Sequence, residues 1–256
     1  MLSIIINVRN SEKYLEETIT SVLSVDEDLE LIIIDNNSQD GTSDVVGKFS
    51  DDSRLRYIFY GSNMSLGEAR NEGLKLARKE YLTFIDSDDI VYSFKIIEQP
   101  KLMQSKNLDF SFSSWVRIDE DSKITGFYRE REDFDLSPYK LISNYRVNFQ
   151  TMMFRTSFLR KNRIQFNANF KFGVDYELFL KIVFVAKWGV FSNYAAGYRI
   201  HDQSMTSKNS FIKYKEFFVS TYGAIHLVDS KIKFIFSSFR NLILMLIADT
   251  KHLIMR

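Results

Sequence analysis

Over the first ninety residues the hydrophobic pattern switches repeatedly between two periods. Ser3–Val8, Leu29–Ile34, Leu55–Phe59 and Tyr81–Ile85 are short, nearly continuous apolar runs, as expected of strands covered on both faces. Between them the apolar positions take helical spacing: Leu15, Ile19, Val22 and Leu23 in one segment, Leu66, Ala69, Gly73, Leu74 and Ala77 in another. Ser11 is placed to cap the first helix, and Thr42 or Ser43 to cap a short one after the second strand. Strands separated by helices predict right-handed crossovers and a mainly parallel sheet, which binds ligands at the C-terminal ends of its strands. The polar clusters NVRN, DNNSQDGT and DSDD all fall at such ends.

Beyond Tyr92 the pattern is less regular. Phe94–Gln104 has helical spacing, Asp109–Trp115 is strand-like, and Arg117–Tyr128 suits a polar strand or hairpin. Thr151–Arg155 predicts a strand and Ser157–Lys161 a helix; Tyr176–Lys187 is a strongly apolar helix and Val190–Tyr194 a short strand. From Ser210 onward the pattern is helical throughout. No repeat and no low-complexity segment interrupts the chain.

Composition narrows the chemistry. With 256 residues, 45% of them apolar, and a formal charge of +1, the chain buries a core and does not remain disordered. Zero cysteines exclude disulfides, thiolate metal sites and a cysteine nucleophile, and three histidines (His201, His226, His252) argue against a multi-histidine zinc centre. The near-zero charge gives no case for nucleic acid. MLSIIINV is expected to be a buried strand rather than a leader, and no run reaches the roughly 18 apolar residues of a spanning helix. A cytoplasmic protein is expected.

The candidate chemistry lies in a few places. In Asp86–Asp89 (DSDD), two carboxylates two residues apart past a buried strand can hold a hard divalent cation on a diphosphate, with the short Ser87 leaving room for the ligand; a solvated acidic turn has the same sequence. Asp35–Thr42 offers donors and acceptors for a base or ribose, or is an Asx-rich turn. Arg70 can reach a phosphate or fix a carboxylate, or pair with Glu68 or Glu72 on its own helix. Asp175 opens an apolar helix, either as a charge favoured by the helix dipole or as a general base. His201, in a polar loop, has surface and ligand readings alike.

Taken in order, SIIINVRN, IIIDNNSQDGT, the block Asn63–Asp89, MMFRTSFLRKN, FGVDYELFLKI and YRIHDQSMT resemble the family 2 glycosyltransferases, inverting nucleotide-sugar enzymes of the GT-A fold. The resemblance covers about Ser3 to Ser207. It implies an α/β, Rossmann-like GT-A domain over residues 1–207, followed by a C-terminal helical extension over 208–256. It also implies that Asp88 ligates a cation, Mn2+ or Mg2+, on the diphosphate, that Asp86 contacts the ribose or the metal's surroundings, and that Ser87 is among the nucleotide-binding residues. His201 would close over the diphosphate or its metal. Asn63 and Arg70 would hold the nucleotide, while Asn7, Arg9 and Asn36 border the base. Asp175 matches the catalytic base, which would deprotonate an acceptor hydroxyl for direct displacement of UDP. Three positions depart from the family pattern. Asn7 replaces a proline, Val174 replaces an acid beside the base, and Asn36 replaces an aspartate that meets uracil. An amide oxygen can meet the same donor or suit another base.

The expected donor is a UDP-sugar and the expected acceptor a glycan or lipid-linked sugar, in cell-surface polysaccharide or glycoconjugate synthesis. Residues 231–256 carry a formal +4, leaving −3 for residues 1–230. That asymmetry, with abundant Phe, Leu and Ile, suits contact with the inner face of a membrane, packing on the domain itself, or a homo-oligomer. Competing functions are weaker. A sugar-1-phosphate nucleotidyltransferase wants a glycine-rich loop after the first strand, and a dehalogenase-type phosphatase wants its Asp-x-Asp there. An inactive nucleotide- or partner-binding module has no need to keep Asp88, Asp175 and His201 together.

Overall fold

The computed structural model describes residues 1–132, 137–143, 145, 147–202 and 211–254. The expected domain boundary at 207/208 and the QSMT end of the last motif lie outside them.

The four apolar runs form β1 (Leu2–Val8), β2 (Leu29–Asn36), β3 (Leu55–Tyr60) and β4 (Tyr81–Asp86), paired in parallel in the order β3-β2-β1-β4. Their continuous hydrophobicity is resolved by the strand period of two. Ile4, Ile6, Leu31, Ile33 and Ile85 face one core, with α1 (Leu15–Leu23), α2 (Thr42–Gly47) and α4 (Ser93–Ser105). Ile5, Ile32, Ile34, Leu82 and Phe84 face the other, with α3 (Leu66–Leu76), α5 (Pro138–Ser143), α6 (Thr156–Lys161) and α7 (Val174–Val183). The helical extension, α8 (Phe211–Ala224) and α9 (Lys231–Ile254), packs on this second core through Phe217, Ala224, Phe234 and Leu242. It is therefore part of the domain's packing and not a detached appendage.

The sheet is parallel only in its first half. β8 (Met153–Arg155) adds antiparallel to β4, and β6 (Phe110–Ile118) antiparallel to β8. β9 (Trp188–Arg199) then runs parallel to β6, with β5 (Ile90–Val91) antiparallel on its far side. β7 (Ile124–Tyr128) closes a hairpin on β6, as the polar stretch after Arg117 predicts. The expectation of a mainly parallel sheet thus holds for the α/β unit and gives way to a mixed sheet beyond it. β9 is also longer than Val190–Tyr194, because β6 and β5 together give it partners along its length.

The predicted helix caps fall elsewhere. α1 begins at Leu15 without a side-chain cap, and the Ser11 hydroxyl instead accepts from Arg9 N at 3.2 Å and Ser87 Oγ at 2.9 Å. α2 also lacks a side-chain cap, since Thr42 Oγ1 accepts from Ser11 N at 2.8 Å. The capped helix is α3: Ser65 Oγ accepts from Glu68 N and Glu68 Oε2 from Ser65 N, a reciprocal capping box. Ser65-x-x-Glu68 was the available sequence signal.

Candidate active site

Strand register assembles the first part of the site. Asn7 pairs with Asp86 across β1 and β4, so both side chains reach the same C-terminal edge. The chain turns there, with Asp89 N donating to Asp86 O at 3.3 Å and Thr18 Oγ1 donating to Ser87 O at 3.0 Å. The β5–β9 pairing then returns the end of β9 to this turn. Arg199 N donates to Asp89 Oδ1 at 2.8 Å, and Arg199 Nε donates to Asp88 O at 2.7 Å. Two residues further on, His201 Nε2 lies 2.8 Å from Asp88 Oδ2. The meeting of Asp88 and His201, expected from resemblance, therefore has a structural cause in the antiparallel pairing of short β5 with the last part of β9.

Arg199 is the residue that sequence reasoning missed here. It is 1% exposed, and its guanidinium also donates to Asp119 O, Glu120 O and Ser122 Oγ of the β6–β7 turn and pairs with Glu17 of α1. A buried arginine satisfied by so many acceptors is a rigid tie. Asp89, by contrast, does not line the cavity; burial first, then the charges of Asp88 and Asp86, push its carboxyl well above the ordinary range.

The second part of the site comes from helices. Arg70, 3% exposed on α3, lies between two carboxylates: one guanidinium nitrogen bonds Asp175 Oδ1 and another lies 3.4 Å from Asp86 Oδ1. Its flat face rests on the Phe149 ring at 4.1 Å. Neither Glu68 nor Glu72 takes it, since Glu68 is in the capping box and Glu72 meets Lys75 and Tyr60. Burial raises the Asp175 carboxyl above its usual value, with the Arg70 charge and hydrogen bond pulling the other way. Burial likewise raises Asp86, to about 6, again opposed by Arg70.

These groups surround one cavity of about 610 Å³, the size of a small-molecule site. Asn7, Arg9, Ser11, Asp86, Ser87, Asp88 and His201 line one end; Asp175, Tyr145, Tyr176, Phe217 and Met245 line the other, with Arg70 between. Asn36 and Asn63 do not line it. The Asn36 amide is committed to the backbone of Met64, donating to its carbonyl at 2.8 Å and accepting from its N–H at 2.7 Å. Its oxygen, expected to face a base, is thus occupied. Asn63 accepts from Asn37 at 3.2 Å. The rest of the DNNSQDGT loop is similarly consumed. Asp35 accepts from Tyr57 Oη and Ser38 N, Asp40 accepts from Glu12 N and Thr42 N, and Ser38 Oγ accepts from Asn10 N. The Asx-turn reading describes this loop, which ties the end of β2 to the end of β1.

A cation at the first end would find one hard oxygen and one imidazole nitrogen, from Asp88 and His201. Among the described residues no group of three or more His, Cys, Asp or Glu could hold an ion. The pair fits a divalent ion whose remaining ligands are phosphate oxygens and water, the usual way magnesium is held beside a diphosphate.

Known proteins bear on this geometry. WfaP of Escherichia coli, a UDP-Glc:alpha-D-GlcNAc-diphosphoundecaprenol beta-1,3-glucosyltransferase, is 36% identical over 129 residues, covering 50% of this chain and 51% of its own. TuaG of Bacillus subtilis, a putative teichuronic acid biosynthesis glycosyltransferase, is 32% identical over 123 residues, 47% of this chain and 49% of its own. This chain thus spans about half the length of these relatives, and 20% of the length of a relative from Rickettsia felis. The crystal structure of S. aureus TarS 1-349 in complex with UDP-GlcNAc superposes with a TM-score of 0.78 at 20% identity, covering 94% of this chain and 71% of that one, and shows a shared GT-A fold. The family model "Glycosyl transferase family 2" matches residues 3–179, well over half of the sequence, and the chain belongs to that family.

Proposed function

We propose that this chain transfers a sugar from a UDP-sugar to an acceptor hydroxyl with inversion, in the synthesis of a cell-surface glycan. The observation that carries the reading is the placement of a carboxylate raised above its ordinary pKa, Asp175, in the same cavity as the strand-end Asp88–His201 pair. Asp175 takes the proton of the acceptor hydroxyl, and Arg70 holds the carboxylate in place and steadies its charge. Asn7, Arg9 and Ser87 border the nucleotide. Asp88 and His201 hold Mn2+ or Mg2+ when it is bound, and the ion supplies neutralisation of the charge left on the departing diphosphate. UDP is favoured as the leaving nucleotide because WfaP uses UDP-Glc and TarS binds UDP-GlcNAc. The acceptor of WfaP is a lipid-linked sugar, which supports the same class here.

A lipid-linked acceptor also gives a meaning to α9. Ile232, Ile235, Phe236, Phe239, Ile243 and Ile247 are exposed along one side of this helix, opposite the buried Phe234 and Asn241. The exposed Lys231, Lys233 and Arg240 flank that stripe, the pattern of a helix lying in an anionic lipid interface. Among the described residues no helix is long and apolar enough to cross a membrane. Co-sedimentation with phosphatidylglycerol vesicles is expected. Absence of binding, or a concentration-dependent dimer in its place, would remove the membrane part of the reading.

The central test is thermal stabilisation by UDP, GDP, CMP and dTDP, each with and without manganese. A manganese-dependent shift with UDP alone is expected. A shift with another nucleotide replaces the donor, and no shift with any of them defeats the transferase reading.

A further inference from the structure

The base-bearing helix α7 starts at Gly173 without a side-chain cap of its own, so the amides of its approach need acceptors from elsewhere. Glu216 of α8 provides them. Its side chain is buried, Oε1 accepts from Lys171 N, and Oε2 accepts from Phe172 N and Gly173 N, each at 2.7 Å. Three consecutive amides converging on one carboxylate form an anion nest filled by the protein itself, at the positive end of a helix. The fit is close: a Cβ on Gly173 would stand 3.3 Å from Glu216 Cβ. The next residue, Phe217, stacks on Tyr176 with ring centroids 5.1 Å apart. Residues 216 and 217 therefore grip the chain on both sides of Asp175. Both lie beyond residues 3–179, the stretch shared with the family model.

We propose that Glu216 is a positioning residue for Asp175, and that the helical extension sets the base in place through this one carboxylate. The proposal rests on the reading of Asp175 as the base. Without the Glu216 carboxylate, the amides of residues 171–173 must turn to water or to the nearest remaining carboxylate, and either movement displaces the start of α7. The nucleotide end is built on β1, β4 and β9, and among the described residues its side chains make no hydrogen bond to Glu216; Arg70 is the link between it and Asp175.

The test compares wild type, E216Q and D175N in the full chain. Turnover is read as UDP release from UDP-GlcNAc and UDP-glucose with manganese and water as acceptor. UDP binding is read by calorimetry, and the loop by amide exchange of residues 171–173. E216Q, nearly isosteric, is expected to lower kcat by roughly 10- to 100-fold, the effect of misplacing a reacting group by an ångström or less. The KM for donor and the Kd for UDP should stay within about threefold, while loop exchange speeds up at least about tenfold. If E216Q does not fold, E216D carries the same comparison, because it keeps the charge on an arm too short for all three amides. E216Q within twofold of wild type in kcat, or a matching loss of UDP affinity, overturns the positioning role. D175N as active as wild type overturns the base reading and this role with it, and exchange of residues 171–173 unchanged in E216Q overturns the clamp whatever the turnover.

Discussion

The two ends of the cavity are held by different physics. At the nucleotide end, Asn7 and Asp86 sit where parallel strands stop together, so register places them, and Asp88 follows in the turn that Arg199 ties to the end of β9. At the base end, Asp175 sits on the first turn of a helix, held by side chains from distant elements: Arg70 from α3, Glu216 and Phe217 from α8. A strand-end site tolerates changes in its neighbours because the sheet remains. A site held by side chains loses its geometry one side chain at a time.

The largest separation of the two ends comes from Asp175→Asn. Loss of the base is expected to lower turnover about a thousandfold, with UDP affinity unchanged, as read by steady-state kinetics beside calorimetry. Asp88→Ala is the reciprocal case. Manganese should no longer strengthen UDP binding, and turnover should fall about a hundredfold through lost stabilisation of the leaving group. If both variants lost turnover and UDP affinity together, the cavity would be acting as one unit and the comparison would fail.

Arg70 joins the ends, and Arg70→Met probes that link through pH. Burial raises the Asp175 carboxyl and Arg70 lowers it. Removing the guanidinium leaves burial unopposed, so the pKa rises further. The base is then protonated to a higher pH. The acid limb of the pH–kcat profile should move upward from its wild-type position. An unmoved limb would show that Asp175 is not the group being titrated.

Smaller effects test the packing beneath the nucleotide end. Gly73 of α3 lies against β1, and a Cβ there would come within 2.5 Å of Ile5 Cγ2. Gly73→Ala should cost about 1–3 kcal/mol through overpacking, measured by chemical denaturation. Turnover of the folded fraction should be retained, since α3 keeps its capping box and Arg70.

The same contrast explains what was legible in the sequence. β1 to β4 could be read because each apolar run buries both faces, and the clusters ending them had to share one edge. Asp86, Asp88, Arg70, Asp175 and His201 were identified by resemblance, and the structure gathers all five at one cavity. Glu216 and Arg199 were not found, because what they do depends on partners 43 and 182 residues away in the chain. A weak signal existed for Glu216: an acid on the helical face that also carries Ser220 and Ala224 has to find donors once buried. Asn36, expected to border the base, lies outside the cavity lining for the opposite reason. Its position in the strand-end motif was right, but a short amide beside a free backbone N–H and C=O satisfies those groups first.

Asn36→Asp turns that last point into the finest of these tests. The carboxylate can still accept from Met64 N, but it presents a second oxygen to Met64 O, where the amide donated at 2.8 Å. One hydrogen bond is lost and two acceptors face each other, a cost of about 1–3 kcal/mol. For a chain of this size that lowers the Tm by about 2 °C or more. Because Asn36 is outside the cavity lining, the additional stabilisation given by UDP should match that of wild type. A larger UDP shift in the variant, despite its lower Tm, would mean that the side chain leaves Met64 to meet the base. The end of β2 would then belong to the nucleotide site rather than to the tie between two loops.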